Sequence, residues 1–237
     1  MTRFYLADPD ALVLHGAEAH HAAHVLRLPA GADIELFDGL GHVVKCRIVK
    51  LDRDAIRLTA LERASTPPLP CRITLATAIL KKNMDFIVQK ATELGVAAIV
   101  PLVTERTVVR VAGDAAKAVR WREIALDSCK QCGNNWLPEI RQPQSLAEWL
   151  ASAVAADLKL VAALQTDAAP LKLILPAGPV RSVAVLVGPE GDFSPAEYAA
   201  VRTAGFRPLT LGPLVLRADT AALYALSVVH HELVVHR

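Results

Sequence analysis

The segment from Val185 to Leu223 constrains the fold more than any other, because it runs through strand, glycine loop and helix and then repeats the order. Ala184 to Val187 is an apolar run short enough for a buried parallel strand. Gly188, Pro189 and Gly191 then break regular structure and let the backbone come close to a ligand. A helix is predicted at once: Ser194 fits an N-cap, Pro195 the first helical position, Glu197 completes a capping box, and Gly205 fits a left-handed C-terminal cap. Pro208 to Leu211 reads as a second strand and Gly212-Pro213 as a second loop. Asp219 or Thr220 is the expected cap of a last helix through Ala221, Leu223, Leu226 and Val229.

Two such loops imply a ligand at the carboxyl edge of a parallel sheet, where open α/β folds place their sites. A pair of ordinary turns would leave the same trace. The first loop is neither GxGxxG nor GxxxxGK[ST], so phosphate cradling has no specific support. Upstream, Arg72 to Leu80 reads as a strand, and Met84, Ile87, Val88, Ala91 and Leu94 mark a helix ending at Gly95. Ala97 to Pro101, Trp121 to Cys132, Leu146 to Ala155 and Leu158 to Leu164 continue the alternation, which predicts an α/β domain with a mainly parallel sheet. Before it, Ala64-Ser65-Thr66-Pro67-Pro68-Leu69-Pro70 has linker composition and sets domains at 1–70 and 71–237. In the first, Ile34 to Phe37 and Val43 to Val49 flank a break at Asp38-Gly39-Leu40-Gly41, and Ile56 to Leu61 adds a strand, the pattern of a small β-barrel.

The net charge of +2 in 237 residues does not announce a nucleic-acid partner, so patches matter more. Lys45, Arg47, Lys50, Arg53 and Arg57 crowd one stretch, as an RNA-contact face or as solvated strand edges that discourage aggregation. No run approaches the roughly 18 apolar residues a membrane helix needs, and Asp8 and Asp10 interrupt the start where a signal peptide needs an apolar core. A soluble cytoplasmic protein without membrane association is expected. Cys129 and Cys132 have no second pair at matching spacing, and Trp121, Ile124, Ala125 and Ser128 lie upstream at helical spacing, so helix packing is the expected role. His20, His21 and His24 lack a carboxylate partner and suit a polar helix face; no metal site is expected.

Gly188-Pro189-Glu190-Gly191, Leu211-Gly212 and Leu216-Arg217-Ala218-Asp219-Thr220-Ala221 together resemble the RsmE family of ribosomal RNA methyltransferases, in the SPOUT superfamily. Lys81-Lys82-Asn83-Met84-Asp85, Gln89 to Val96, Pro101 and Thr104-Glu105-Arg106 resemble its first methyltransferase strand, helix and loop. His20-His21 with Val25 to Leu28 resembles its amino-terminal domain, so the resemblance covers nearly the whole chain. It implies a PUA-like RNA-binding barrel followed by a SPOUT α/β domain. Ordinary topology rules predict an unknotted winding, whereas the resemblance implies a carboxyl-terminal trefoil knot and a homodimer.

The implied reaction is transfer of a methyl group from S-adenosyl-L-methionine to N3 of uridine in 16S rRNA of the small subunit, in an assembled or nearly assembled particle. Leu211, Gly212, Leu214 and Leu216 would enclose adenine; Gly188, Glu190 and Gly191 would border the methionine and substrate side. Leu164, Pro189 and Arg217 complete the implied cofactor set. Negative charge developing on uracil oxygens calls for a cation, and Arg217 is the first candidate, with an ion pair to Asp219 or a helix cap as its alternative roles. Asp219 and Glu190 are the other implied catalytic residues, and Arg3, His21, Arg27, Lys45, Arg47, Lys81 and Arg106 the implied RNA contacts. The chain departs from the family in three places: Asp192 stands where GPEGG has its last glycine, Asp219 where glutamate is usual, and Asn134 where arginine is common. Asp tolerates positive φ better than most residues, Asp219 retracts its carboxylate, and Asn134 gives up a phosphate-binding charge. A SPOUT enzyme acting on another RNA atom, such as a ribose oxygen, and a non-catalytic RNA-binding protein with an eroded site are the alternatives.

Overall fold

The computed structural model describes residues 1–107, 115–152 and 154–235. They form two compact units, Met1–Pro68 with Leu126–Leu137, and Leu69–Ala125 with Pro138–Arg237. The linker reading ends the first domain at 70 and gives no sign that 126–137 returns to it. It also takes in Ala64 and Ser65, which are the last residues of a strand; the coil begins at Thr66.

The first unit holds β1 (Thr2–Tyr5), β2 (Val13–His15), α1 (Gly16–His20, continued by the π-helical turn His21–Val25), β3 (Asp33–Phe37), β4 (His42–Leu51) and β5 (Ala55–Ser65). The sheet order is β1-β3-β4-β5-β2, with β1 parallel to β3 and the other pairs antiparallel. Among the described residues no ladder joins β1 to β2. Alternation sorts the strands: Val44, Cys46 and Ile48 point inward, while Lys45 and Arg47 point out. Phe4, Leu14, Ile34, Leu36, Ile56 and Leu58 from the other strands, with Ala19 and Ala22, close on the same core. The predicted break at Asp38 is a tight turn whose carboxylate accepts the N–H groups of Leu40 and His42 at 2.7 and 3.1 Å.

Arg3 is withdrawn from the RNA-contact set. Its side chain is only 8% exposed, and its guanidinium donates to Glu35 Oε1 at 2.6 Å, to the Cys129 carbonyl at 2.7 Å and to Asn135 Oδ1, above the Phe37 ring. A buried guanidinium is stable only when its donors are matched in this way. Phe37, Val43 and Cys129 make a second small core there, and burial pushes the Cys129 thiol up to about 12, so it behaves as a hydrophobe. Asn134 Oδ1 accepts the Trp136 N–H at 2.9 Å and shapes the turn that follows.

The second unit contains β6 (Arg72–Ala78), α2 (Met84–Glu93), β7 (Ala98–Val103), the first part of α3 (Ala115–Cys132), β8 (Glu139–Ile140), β9 (Gln144–Ser145), α4 (Leu146–Ala151), β10 (Leu158–Ala162), α5 (Leu171–Ile174), β11 (Ser182–Val187), α6 (Pro195–Thr203), β12 (Arg207–Leu209) and α7 (Ala218–His230). Its sheet order is β12-β10-β11-β6-β7-β8, with β9 also on β7, and every pair is parallel. Such a sheet is buried on both faces, as the unbroken apolar runs of β7 and β11 require. Trp121, Ala125 and Ser128 are buried with Cys129 on one face of α3, as the spacing predicts, and Ile124 is half-buried; Cys132, expected to pack with them, is exposed. Several elements end earlier than read: β6 at Ala78, α4 at Ala151, β10 at Ala162 and β12 at Leu209.

The capping box at α6 is as predicted. Ser194 Oγ accepts the Glu197 N–H at 3.3 Å, and Glu197 Oε2 accepts the Ser194 N–H at 2.9 Å. At α7 the expectation fails: the cap position is Arg217, whose side chain makes no capping bond, and the helix begins at Ala218. Asp219 lies in the first turn instead, where its carboxylate favours the positive helix end.

Candidate active site

Neighbouring strands β12, β10 and β11 end at one level, since Ala162 pairs with Leu209 and Val161 with Leu186. The loops beyond these ends line one pocket. Ala162 at the end of β10 is followed by Ala163 and Leu164 in its loop; Val187 at the end of β11 by Gly188, Pro189, Glu190 and Asp192; Leu211, Gly212, Leu214, Val215 and Leu216 come from the loop after β12, and Ala218 and Ala221 from α7. This is the carboxyl edge that the glycine pattern predicts. Its rim is apolar and open: Leu164, Leu214 and Val215 are 59%, 72% and 80% exposed. Leucines left in water around a concave site are characteristic of a surface that a ligand covers. The charged side chains on the wall are the acids Glu190 and Asp192.

The two glycine loops work differently. Gly212 has φ +108°, and the space where a Cβ would stand is open for 4 Å. Gly188 has no unusual φ, but a Cβ there would meet the Phe193 ring at 3.0 Å, so the close packing of loop on ring needs hydrogen at that position. Asp192 adopts φ +62°, a left-handed conformation that aspartate tolerates better than most residues. Its Oδ1 accepts the Phe193 N–H and the Tyr198 hydroxyl, each at 2.8 Å. Burial and then the neighbouring Asp192 carboxylate raise the Tyr198 phenol above its usual value, so it stays a donor.

The loop after β7 is fastened to the same region. Arg106 Nη1 donates to the Gly191 carbonyl at 2.7 Å, and the Glu105 N–H donates to Glu197 Oε1 at 2.8 Å. Asp219 is committed away from the pocket: Oδ2 accepts from Asn83 Nδ2 and Oδ1 from the Thr220 N–H, both at 2.8 Å. Arg217 is exposed, and among the described residues its guanidinium makes no hydrogen bond or ion pair; the pairing with Asp219 is not formed.

Of the residues read as cofactor-binding, Leu164, Gly188, Pro189, Glu190, Leu211, Gly212, Leu214 and Leu216 line the pocket. Gly191 and Arg217 adjoin it in sequence without lining it. Ala162, Ala163, Val187, Asp192, Val215, Ala218 and Ala221 escaped the sequence reading as site residues; strand-end position and the i, i+3 spacing of the two last alanines were the available signals. Among the residues read as RNA-binding, His21, Arg27, Arg47, Lys81 and Arg106 are exposed and Lys45 is half-buried. Lys45 is paired with Glu62 and Arg47 with Asp33, each directly across the ladder. Among the described residues no group of three or more His, Cys, Asp or Glu side chains could hold a metal ion, and no helix is long and apolar enough to cross a membrane.

The family models that the two units match define the class, an RNA methyltransferase. Residues 67–230 match the family model described as RNA methyltransferase domain, and residues 14–61 the one described as RNA methyltransferase PUA domain. The ribosomal RNA small subunit methyltransferase E of Mycobacterium tuberculosis is 32% identical over 231 residues, covering 94% of this chain and 88% of the relative. That of Neisseria gonorrhoeae, solved bound to S-adenosyl methionine, superposes with a TM-score of 0.88 at 32% identity, over 98% of each chain. A Legionella pneumophila methyltransferase solved with the same cofactor gives 0.87 at 33% identity, over 98% of this chain and 97% of that one. The chain belongs to the RsmE family of ribosomal RNA small subunit methyltransferases.

Proposed function

We propose that this enzyme methylates N3 of uridine in 16S rRNA of the small subunit, with S-adenosylmethionine as donor. The observation that carries the reading is the pocket at the ends of β10, β11 and β12, set in a chain of this family. The residues fit the donor. Leucines and small side chains suit an adenine ring, the open space at Gly212 admits a ligand against the backbone, and the Glu190 carboxylate gives the wall a negative charge that suits a sulfonium. When bound, the donor supplies an electrophilic methyl group. The test is mass spectrometry of ribosomal RNA from cells lacking and then regaining the protein. An N3-methyluridine in 16S rRNA that comes and goes with the gene is expected; a methylated ribose or no change refutes the reading.

Uridine N3 must lose its proton before its lone pair can attack in line. Glu190, an exposed carboxylate on the pocket wall, is the proposed proton acceptor. Asp219, with an oxygen committed to each of its two partners, instead holds the β6–α2 loop to the start of α7. Arg217 has donors available for the charge that spreads to O2 and O4. Holding base and donor in line supplies effective molarity without rearranging the loops.

His21, Arg27, Lys45, Arg47, Lys81 and Arg106 form the proposed RNA contacts, and exposure of every one but the half-buried Lys45 supports the set. The assembled or nearly assembled subunit as substrate, cytoplasmic location and a trefoil knot at the carboxyl end are proposed with the family. So is a homodimer, for which Phe86 on α2 and Tyr224 on α7, 45% and 46% exposed on two helices that pack together, offer apolar surface.

A further inference from the structure

We infer that Tyr198 is a positioning residue for the methyl donor: through Asp192 it fixes the loop from Gly188 to Asp192, and α6 thereby sets the width of the pocket. The inference rests on the reading that this pocket holds S-adenosylmethionine.

A loop with glycines at 188 and 191 has wide conformational freedom, and freedom lost on binding weakens affinity. Here Arg106 holds the Gly191 carbonyl from one side, and the Asp192 carboxylate supplies the remaining restraint. Asp192 Oδ1 takes the Phe193 N–H on one side and the Tyr198 hydroxyl on the other, while the Asp192 N–H closes a turn on the Pro189 carbonyl at 3.0 Å. The Phe193 ring fills the space beneath Gly188 and meets Tyr198 edge to face, with centroids 5.4 Å apart. Tyr198 is 7% exposed and stands on α6, a helix anchored by its own capping box, so its hydroxyl has no freedom to drift. One turn further along α6, Arg202 makes a two-pronged pair with Asp167 at 2.7 and 2.8 Å, in the loop that brings Leu164 to the pocket. A single helix face thus holds two of the three loops around the site.

Asp192, at φ +62°, meets a tyrosine placed to receive its carboxylate, which thereby supports the pocket wall.

The experiment measures S-adenosylmethionine binding by calorimetry, with thermal melts, for wild type, Tyr198→Phe, Asp192→Asn, Asp192→Ala and Gly212→Val. Tyr198→Phe keeps the buried ring and loses the hydrogen bond to the Asp192 carboxylate together with the hydroxyl's contact with Gln165, so affinity should fall about tenfold with little change in melting temperature. Asp192→Asn keeps an acceptor and tolerates positive φ, and should stay within about threefold of wild type; Asp192→Ala should fall at least as far as Tyr198→Phe. In turnover, KM for the donor should rise while kcat at saturation holds. Wild-type affinity in Tyr198→Phe beside lost affinity in Gly212→Val overturns the clamp and leaves the pocket reading standing. Wild-type affinity in both overturns the pocket reading and the clamp together. Asp192→Asn as weak as Asp192→Ala would assign the effect to charge and overturn the positioning role.

Discussion

Replacing Gly212 with valine separates what the second loop does for the ligand from what it does for the fold. A φ of +108° lies outside the left-handed region that other residues visit, so a β-branched side chain there carries strain of about 1–3 kcal/mol. Nothing stands within 4 Å of the new Cβ, so no clash is added in the free chain. The strain is relieved by rotation of the loop, which moves Leu211 and Leu214 on the pocket wall. At about 1.4 kcal/mol per tenfold, strain appearing wholly in binding weakens affinity roughly 5- to 150-fold. The γ-methyls entering the open space raise the loss further, to abolition. Calorimetric titration with S-adenosylmethionine measures the loss, and a thermal melt shows whether the rest of the unit is intact. A folded variant with wild-type affinity would refute the argument, as would a melting temperature that falls in step with affinity. Gly188→Ala supplies the contrast: its methyl group meets the buried Phe193 ring at 3.0 Å, so stability itself should drop, by about 1–3 kcal/mol.

Arg217→Lys keeps the charge and loses the planar fork, so single-turnover methylation at saturating RNA and donor should slow tenfold or more while both affinities hold; near-normal rates would remove Arg217 from the mechanism. Arg27 and Arg53, which make no ion pair among the described residues, should contribute to RNA binding; substituting both with alanine should flatten the slope of log affinity against log salt by about 0.7 per lost phosphate contact on a single strand, and an unchanged slope places the RNA elsewhere. Burial and then His231 hold the His230 imidazole below its usual 6.5, so the folded state prefers it neutral. Its contribution to stability is complete above pH 6.5 and is lost as pH falls toward the lower folded value. Melting temperature should therefore drop between pH 7 and 5, and less steeply in His230→Asn; equal slopes would exclude His230 as the source.

What was legible in the sequence was local. The α6 capping box spans four residues and shows itself in Ser194, Pro195 and Glu197; the helical face of α3 shows itself in the spacing of Trp121, Ala125 and Cys129. The start of α7 was misplaced because a carboxylate near a helix start usually caps it, whereas Asp219 is claimed by Asn83, 136 residues earlier. Arg3 misled for the same reason, since its partners Cys129 and Asn135 lie more than a hundred residues away. The alanines and valines of the pocket wall have no chemical signature of their own; they are site residues only because three strands end side by side.

The return of residues 126–137 to the first unit bears on how the chain is made. When Pro68 leaves the ribosome, Phe37 and Val43 still lack Cys129 and Leu137, Arg3 lacks the Cys129 carbonyl, and Gly41 lacks the Asn135 carbonyl that accepts its N–H. Domains ordinarily fold in order of synthesis, but this one must wait for Leu137, on the order of ten seconds at about 5–20 residues per second. The nascent first unit is thus an unfinished surface for that interval, and its closing contacts are among the most distant in sequence that the protein makes. A polypeptide ending at Pro68 would remain in that state permanently.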